Sequence, residues 1–111
     1  MFAEVKAGLP ISGDDYDAQI VQQIYAGALD LSATAEIVLP GIISISIDPA
    51  TGTVTDTSSL DDPLITTAIA TWCALRIGNP PNYDHLLKAY ESMKGSLRMS
   101  GNYTNYGGEP E

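Results

Sequence analysis

The sequence predicts a mainly α protein, a small helical bundle of three to four helices with one inserted β-hairpin and a flexible C-terminal tail. Two observations lead to this prediction. In several segments apolar residues recur at three- and four-residue steps, which is the spacing of one helix face, whereas residues 42–55 show the two-residue repeat of a strand. The 111 residues allow one domain, assigned to residues 1–100, and residues 101–111 have no periodicity.

The first predicted element, over residues 2–9, is a short helix or an irregular lead-in. Phe2, Val5 and Leu9 are spaced to lie on one face, and Gly8 and Pro10 end the pattern.

A long helix is predicted to start at Ser12-Gly13-Asp14-Asp15, whose side-chain oxygens can accept the unpaired N–H groups of a first turn. Its apolar face repeats at steps of four, four, three and four residues, through Ile20, Ile24, Ala28, Leu31 and Ala35. The pattern is predicted to continue until Leu39-Pro40-Gly41 breaks it. Small residues such as Gly27 on this helix favour the close approach of a second helix.

The β-hairpin is predicted where isoleucines alternate with serines, followed by a turn at Asp48-Pro49-Ala50-Thr51-Gly52 and a return strand. An isolated hairpin is marginally stable in water. It must therefore lie on the helices or pair with strands of another copy of the chain, and the sequence leaves both open. For the second case, the predicted contact residues are Ile43, Ile45, Ile47 and Val54.

The helix from Asp62 to Ile77 is predicted to be the centre of the fold. Asp62 can cap its first turn, and Pro63 suits the first helical position because it has no N–H group. One face carries Ile65, Ala68, Ile69, Trp72 and Leu75. Trp72 is predicted to be the best core anchor because it is the largest apolar side chain, and Cys73 is predicted to be a buried structural thiol.

The last helix is predicted to follow Asn82. Its apolar face comprises Tyr83, Leu86, Leu87, Tyr90, Met93 and Leu97. The basic residues Lys88, Lys94 and Arg98 are predicted on the outer sides. In the tail, Tyr103 and Tyr106 have no core to enter and would suit docking on a partner.

Charge and composition exclude several functions. The formal net charge of -9 disfavours binding to nucleic acid phosphates. A single cysteine and a single histidine, His85, cannot make a zinc site, and no motif supports catalysis or a cofactor. The acidic clusters at residues 14–17 and 61–62 are interpreted as helix caps. No segment has the ~20 apolar residues of a membrane span. The first residues also lack the basic start and the long apolar run of a signal peptide. We therefore expect a protein that is not an enzyme and that needs no cofactor, metal or membrane.

The order of these elements resembles the small head-tail connector (adaptor, or head-completion) proteins of long-tailed bacteriophages. The matching segments are the acidic helix over residues 14–24, the β excursion that follows, the helix over residues 65–72 and the closing segment over residues 86–93. The resemblance covers about residues 12–100. Where many relatives carry an aromatic-Thr-Gly-Arg type run after the long helix, this chain has residues 31–35, LSATA.

The resemblance implies a structural virion protein at the head-tail interface, present in the host cytoplasm during assembly. It would form an oligomeric ring of about a dozen copies beneath the portal protein, extend the DNA channel without sequence-specific binding, and dock a stopper or tail-completion protein. By analogy, the portal contacts would be Lys88, Lys94, Arg98, Tyr103 and Tyr106. The alternative is a small regulatory or chaperone-like helical protein that binds one partner and forms no ring.

Overall fold

The structure, a computed structural model, describes residues 1–9, 13, 15–77 and 81–99. The elements in chain order are α1 (Phe2–Ala7), α2 (Asp17–Thr34), β1 (Ile45–Ile47), β2 (Val54–Asp56), α3 (Pro63–Arg76) and α4 (Tyr83–Met99). The predicted fold class is confirmed, because this part of the chain is mainly helical with one antiparallel hairpin. The predicted tail lies outside the described residues.

Of the two alternatives for the first segment, the short helix is the one observed, and α1 buries Phe2 and Val5, while Leu9 is buried just after its end. The ion pair that joins α1 to α2 was not predicted. The Lys6 ammonium lies 2.7 Å from the Asp17 carboxylate, and Asp17 is buried at the start of α2. Asp17, in the first turn of α2, therefore pairs with a residue of α1 instead of capping α2.

The start and end of α2 differ from the prediction. Its cap residue is Tyr16, which makes no side-chain capping bond, so capping by the preceding acidic run is wrong for the residues described there. The five predicted face residues are all buried, but the helix ends at Thr34 instead of near Leu39. Glu36 takes a left-handed φ of 56° and turns the chain back, which buries Ile37. The three consecutive apolar residues 37–39 could not share one helix face.

The hairpin pairs within the chain, with Ile45 opposite Asp56 and Ile47 opposite Val54. Within this chain the hairpin also lies against α2, while pairing with another copy stays a prediction. On its α2 side, the Ile45 amide donates to the Tyr25 hydroxyl at 2.9 Å. On its α1 side, the Phe2 amide donates to the Asp56 carboxylate at 2.7 Å. The regular strand β1 begins at Ile45, two residues later than the alternating pattern indicates.

Helix α3 is the central element and packs against α1, α2 and α4. The predicted cap is confirmed, since the Asp62 carboxylate accepts from the Leu64 and Ile65 amides at 2.9 and 3.2 Å. Cys73 is buried as predicted. Trp72 is not the deepest anchor, because its ring is only half-buried and its indole N–H donates to the Gln23 side chain at 3.0 Å. The fully buried centre is aliphatic instead, with Ile65 and Ile69 at 0% exposure.

The seam between α2 and α3 requires a glycine at position 27. A Cβ added there would lie 2.9 Å from Cδ1 of Trp72, whereas a Cβ at Gly95, on α4, would meet nothing within 4 Å. We expect G95A to raise the free energy of unfolding by roughly 0.5–1 kcal/mol through helix propensity. We expect the free energy of unfolding of G27A, measured by urea denaturation, to be about 1–3 kcal/mol lower than that of G95A, because the added methyl group overpacks the seam. Equal stability of the two variants would contradict this account of the seam.

The contact between the hairpin and α1 predicts a dependence of stability on pH. Burial raises the pKa of Asp56, but hydrogen bonds from Ser58 and the Phe2 amide outweigh burial and hold that pKa well below its usual value. A depressed folded-state pKa stabilises the protein above the unfolded carboxylate pKa of about 3.9 and loses this contribution as the pH falls below it. We expect D56N to lose about 1–2 kcal/mol of unfolding free energy at pH 7. The difference from the unaltered chain should shrink toward pH 2.

A matched control for D56N is D61N, which makes the same charge change. Asp61 is exposed, and no hydrogen bond or ion pair reaches its side chain from the residues described. Urea denaturation at several pH values would measure both variants. The interpretation of the Asp56 contact fails if D61N destabilises the protein as much as D56N does.

Candidate functional site

Helix α4 is divided into a packed half and an exposed half. Tyr90 and Leu97 are almost completely buried. In the first two turns, however, Tyr83 is 43% exposed and Leu87 is 37% exposed, although the sequence predicts both on the packed face. The apolar face therefore continues past the region that the rest of the chain covers.

The C-terminal half of α4 is fixed to the end of α2 by two cations, an arrangement that we call the clasp. Lys94 Nζ lies 3.0 Å from the Thr34 hydroxyl and 3.5 Å from the Asp30 carboxylate. The Arg98 guanidinium donates to the Thr34 carbonyl at 2.9 Å and lies 3.6 Å from Glu36. Cations near the last carbonyls of a helix complement its dipole. The prediction that Lys94 rides on the outer side of α4 is wrong, because its side chain is 14% exposed and faces α2.

Two aromatic rings lie beside the clasp, where α2, α3 and α4 meet. The Trp72 and Tyr90 ring centroids are 5.5 Å apart at an angle of 54°, and Lys94 Nζ lies 5.1 Å from the centre of the Tyr90 ring. The Tyr90 hydroxyl donates to the Asp30 carboxylate at 2.5 Å. Burial, followed by this hydrogen bond, raises the pKa of Tyr90, so the hydroxyl remains a proton donor.

Two basic residues have no carboxylate partner within the described chain. Of the five Lys and Arg residues in the sequence, Lys6, Lys94 and Arg98 form ion pairs. No ion pair is found for Arg76 or Lys88 among the residues described, and both are exposed. The Arg76 guanidinium stacks 4.1 Å from the centre of the Trp72 ring. Sequence reasoning missed this contact, although residues four apart on a helix are neighbours.

A cavity of about 150 Å³ opens next to the clasp. Its lining residues are Thr34, Ala35, Glu91, Lys94, Gly95 and Arg98. These side chains carry both signs of charge and already bind one another, and none is a cysteine or histidine.

The single cysteine and the single histidine of the chain differ in their surroundings. Cys73 is buried, and burial raises the pKa of its thiol to about 12, so the thiolate is scarce at neutral pH. His85 is exposed in the first turn of α4. In the described part of the chain no three His, Cys, Asp or Glu side chains are grouped to hold a metal ion. That the protein is not an enzyme and needs no cofactor stays a prediction.

The four residues predicted to contact another copy are distributed between the core and the surface. Ile45 is buried within its own chain, whereas Ile43, Ile47 and Val54 are half-buried. The contact between copies at these residues stays a prediction, and the side chain of Ile45 is already committed to the core.

The predicted portal contacts are not brought together at one place. Lys94 and Arg98 meet at the clasp, and Lys88 lies on the exposed half of α4. Tyr103 and Tyr106 lie outside the described residues. Their role toward a partner stays a prediction.

The fold defines a class, a mainly helical domain with one inserted antiparallel hairpin. A scan against protein-family models and searches of curated proteins and of solved structures find no match to this chain. Within the described residues, no helix has both the length and the apolar character needed to cross a membrane.

The hydrogen bond between Tyr90 and Asp30 should contribute to stability. We expect Y90F to lower the free energy of unfolding by about 1.5–3 kcal/mol, because the carboxylate accepts a charge-assisted bond in a half-buried position. Y16F removes a hydroxyl from an exposed tyrosine to which no hydrogen bond is assigned in the described part of the chain, and should change stability by less than about 0.5 kcal/mol. Equal effects of Y90F and Y16F in thermal or urea unfolding would contradict the assigned bond.

Proposed function

We propose that this chain is a structural protein of the virion of a long-tailed bacteriophage, of the head-tail connector (adaptor) type. Copies form a ring beneath the portal, the ring extends the DNA channel, and its far side docks the next tail-side component. In this proposal the chain carries out no chemical reaction and needs no cofactor. The order of its elements, which resembles that of this family over about residues 12–100, is one support.

The observation that carries the proposal is the apolar surface that remains after the core has formed. Leu29 and Ile42 are each 70% exposed, and the exposed half of α4 adds Tyr83 and Leu87. Single exposed apolar residues are ordinary, but Tyr83 and Leu87 lie four residues apart on one helix face, and such a pair of large exposed side chains supports a contact with another protein. An assembly component requires such a surface to contact its neighbours.

The negative net charge of the chain suits a protein that lines a channel for DNA. The net charge of -9 repels phosphates, so a channel built from such chains would let DNA pass without holding it. Lys94 supports the same conclusion, because its side chain is 14% exposed and is paired with Asp30 and Glu91. Of the predicted portal contacts, Lys88 forms no ion pair with the described residues, so it can bind another chain of the assembly, and Tyr103 and Tyr106 stay proposed contacts.

A genetic experiment tests the proposal in the virus itself. We expect phage that lack this chain to fill heads with DNA but to yield heads that leak DNA and have no joined tails, as seen by electron microscopy. The unaltered chain supplied in trans should restore tailed virions and appear as a ring at the neck. Intact, DNA-tight necks with joined tails in its absence would refute the connector function.

A matched variant separates a structural role from catalysis in the same experiment. H85A removes the only imidazole from an exposed position, so the fold should be retained. We expect H85A to restore as many tailed virions as the unaltered chain. Loss of restoration by a folded H85A protein would favour an enzyme over a structural component.

A further inference from the structure

The two cations for which no ion pair is found among the described residues lie at the same end of the pair of helices α3 and α4, since Arg76 is the last residue of α3 and Lys88 lies in the second turn of α4. Trp72 on α3 contacts Tyr90 on α4, and the short link over residues 77–82 makes the two helices antiparallel neighbours. Arg76 lies one turn after Trp72, and residues 86–87 lie one turn before Tyr90. Arg76 and residues 86–87 are therefore at the same height along the two helix axes. We call the exposed residues Arg76, Tyr83, Leu87 and Lys88 the basic end.

The composition of the basic end suits a protein interface. Tyr83 and Leu87 are apolar and exposed, and they are four residues apart on one helix face. Arg76 is pre-oriented because its guanidinium is stacked on Trp72, which leaves its N–H groups free to bind a carboxylate. Asp84 is the only acid in the first two turns of α4. A partner with exposed carboxylates beside apolar side chains would complement this surface.

The opposite end of α3 offers that combination. The Leu60 amide donates to the Ile42 carbonyl at 3.2 Å, which places the exposed Ile42 next to the segment that leads into α3. In that segment Asp61 is exposed and forms no ion pair with any described residue. Leu64 in the first turn of α3 is also exposed. We call Ile42, Asp61 and Leu64 the acidic end.

The two ends cannot meet within one copy. They flank the 14 residues of α3, a helix about 20 Å long. We propose that the basic end of one copy docks head to tail on the acidic end of the next copy. This inference rests on the proposed function, since it names the contact that would join neighbours in the ring. A head-to-tail contact uses two different surfaces, and such contacts repeat into rings or filaments instead of stopping at a two-fold dimer.

Zero-length cross-linking tests which surfaces meet. Carbodiimide joins a lysine amine to a carboxylate that it touches, and an equal mixture of ¹⁴N- and ¹⁵N-labelled protein identifies links between copies by mass spectrometry. At millimolar concentration we expect mixed-isotope links from Lys88 to the peptide that contains Asp61. R76K keeps the charge and adds a second reactive amine, which should link to the same peptide.

Matched variants test whether these charges drive association. R76Q/K88Q and Q22E/S96E both make the net charge more negative by two, and Gln22 and Ser96 are exposed residues outside both ends. In sedimentation velocity at low salt, we expect R76Q/K88Q to weaken self-association by about tenfold or more, and Q22E/S96E to have a much smaller effect. Added salt should weaken the association of the unaltered chain. Unchanged circular dichroism of the variants would confirm that they remain folded.

Several results would overturn the head-to-tail contact. Links that join two basic ends would show a two-fold dimer, and the absence of mixed-isotope links from Lys88 would show that this surface does not bind a second copy. Equal effects of the two double variants would show that only the total charge matters. The connector function has its own test in phage necks, so either proposal can fail while the other stands.

Discussion

The contact of Trp72 with Gly27 and Tyr90 is the constraint on which the arrangement of the three long helices depends. Helix α2 can lie against α3 because position 27 carries no side chain where the indole passes. Helix α4 is held on the other side of the same indole by the Tyr90 ring, whose hydroxyl reaches back to Asp30 on α2. One half-buried side chain therefore sets the spacing of three helices, while aliphatic residues fill the fully buried centre.

This arrangement determines which charges remain available. The clasp places Lys94 and Arg98 against the end of α2, where a cation is favoured by both the carboxylates and the terminal carbonyls. Such partly exposed pairs contribute modestly to stability, but they place a carboxylate beside two of the five basic residues. On a strongly acidic chain, the two basic residues for which no ion pair is found in the described part of the chain, Arg76 and Lys88, are the side chains best suited to select a partner with complementary charge. One of them, Lys88, lies on the half of α4 that the core does not cover, and the other, Arg76, is the last residue of α3.

The sequence predicted much of the fold correctly, because the signals concerned are local. The spacing of Phe2, Val5 and Leu9 identified the buried face of α1, and the Asp62-Pro63 pair identified the start of α3. The predictions about Trp72 and Lys94 were wrong because each depended on a neighbouring helix. Side-chain size suggested the deepest position for Trp72, but its N–H group needs a polar partner and finds Gln23 at the edge of the core.

Periodicity and capping residues by themselves determined the helical class, the number of long helices and the residues that share each face, because these depend on neighbours a few positions apart in the chain. Tertiary structure alone decided how much of each face is covered, where α2 turns back and which charges are paired. Coverage of Tyr83 and Leu87 depends on how far the opposing helices extend, and the pairing of Lys94 depends on Asp30, 64 residues away. Such distant contacts leave no regular spacing in the sequence, so the surface on which the proposed function depends could be recognised only from the tertiary structure.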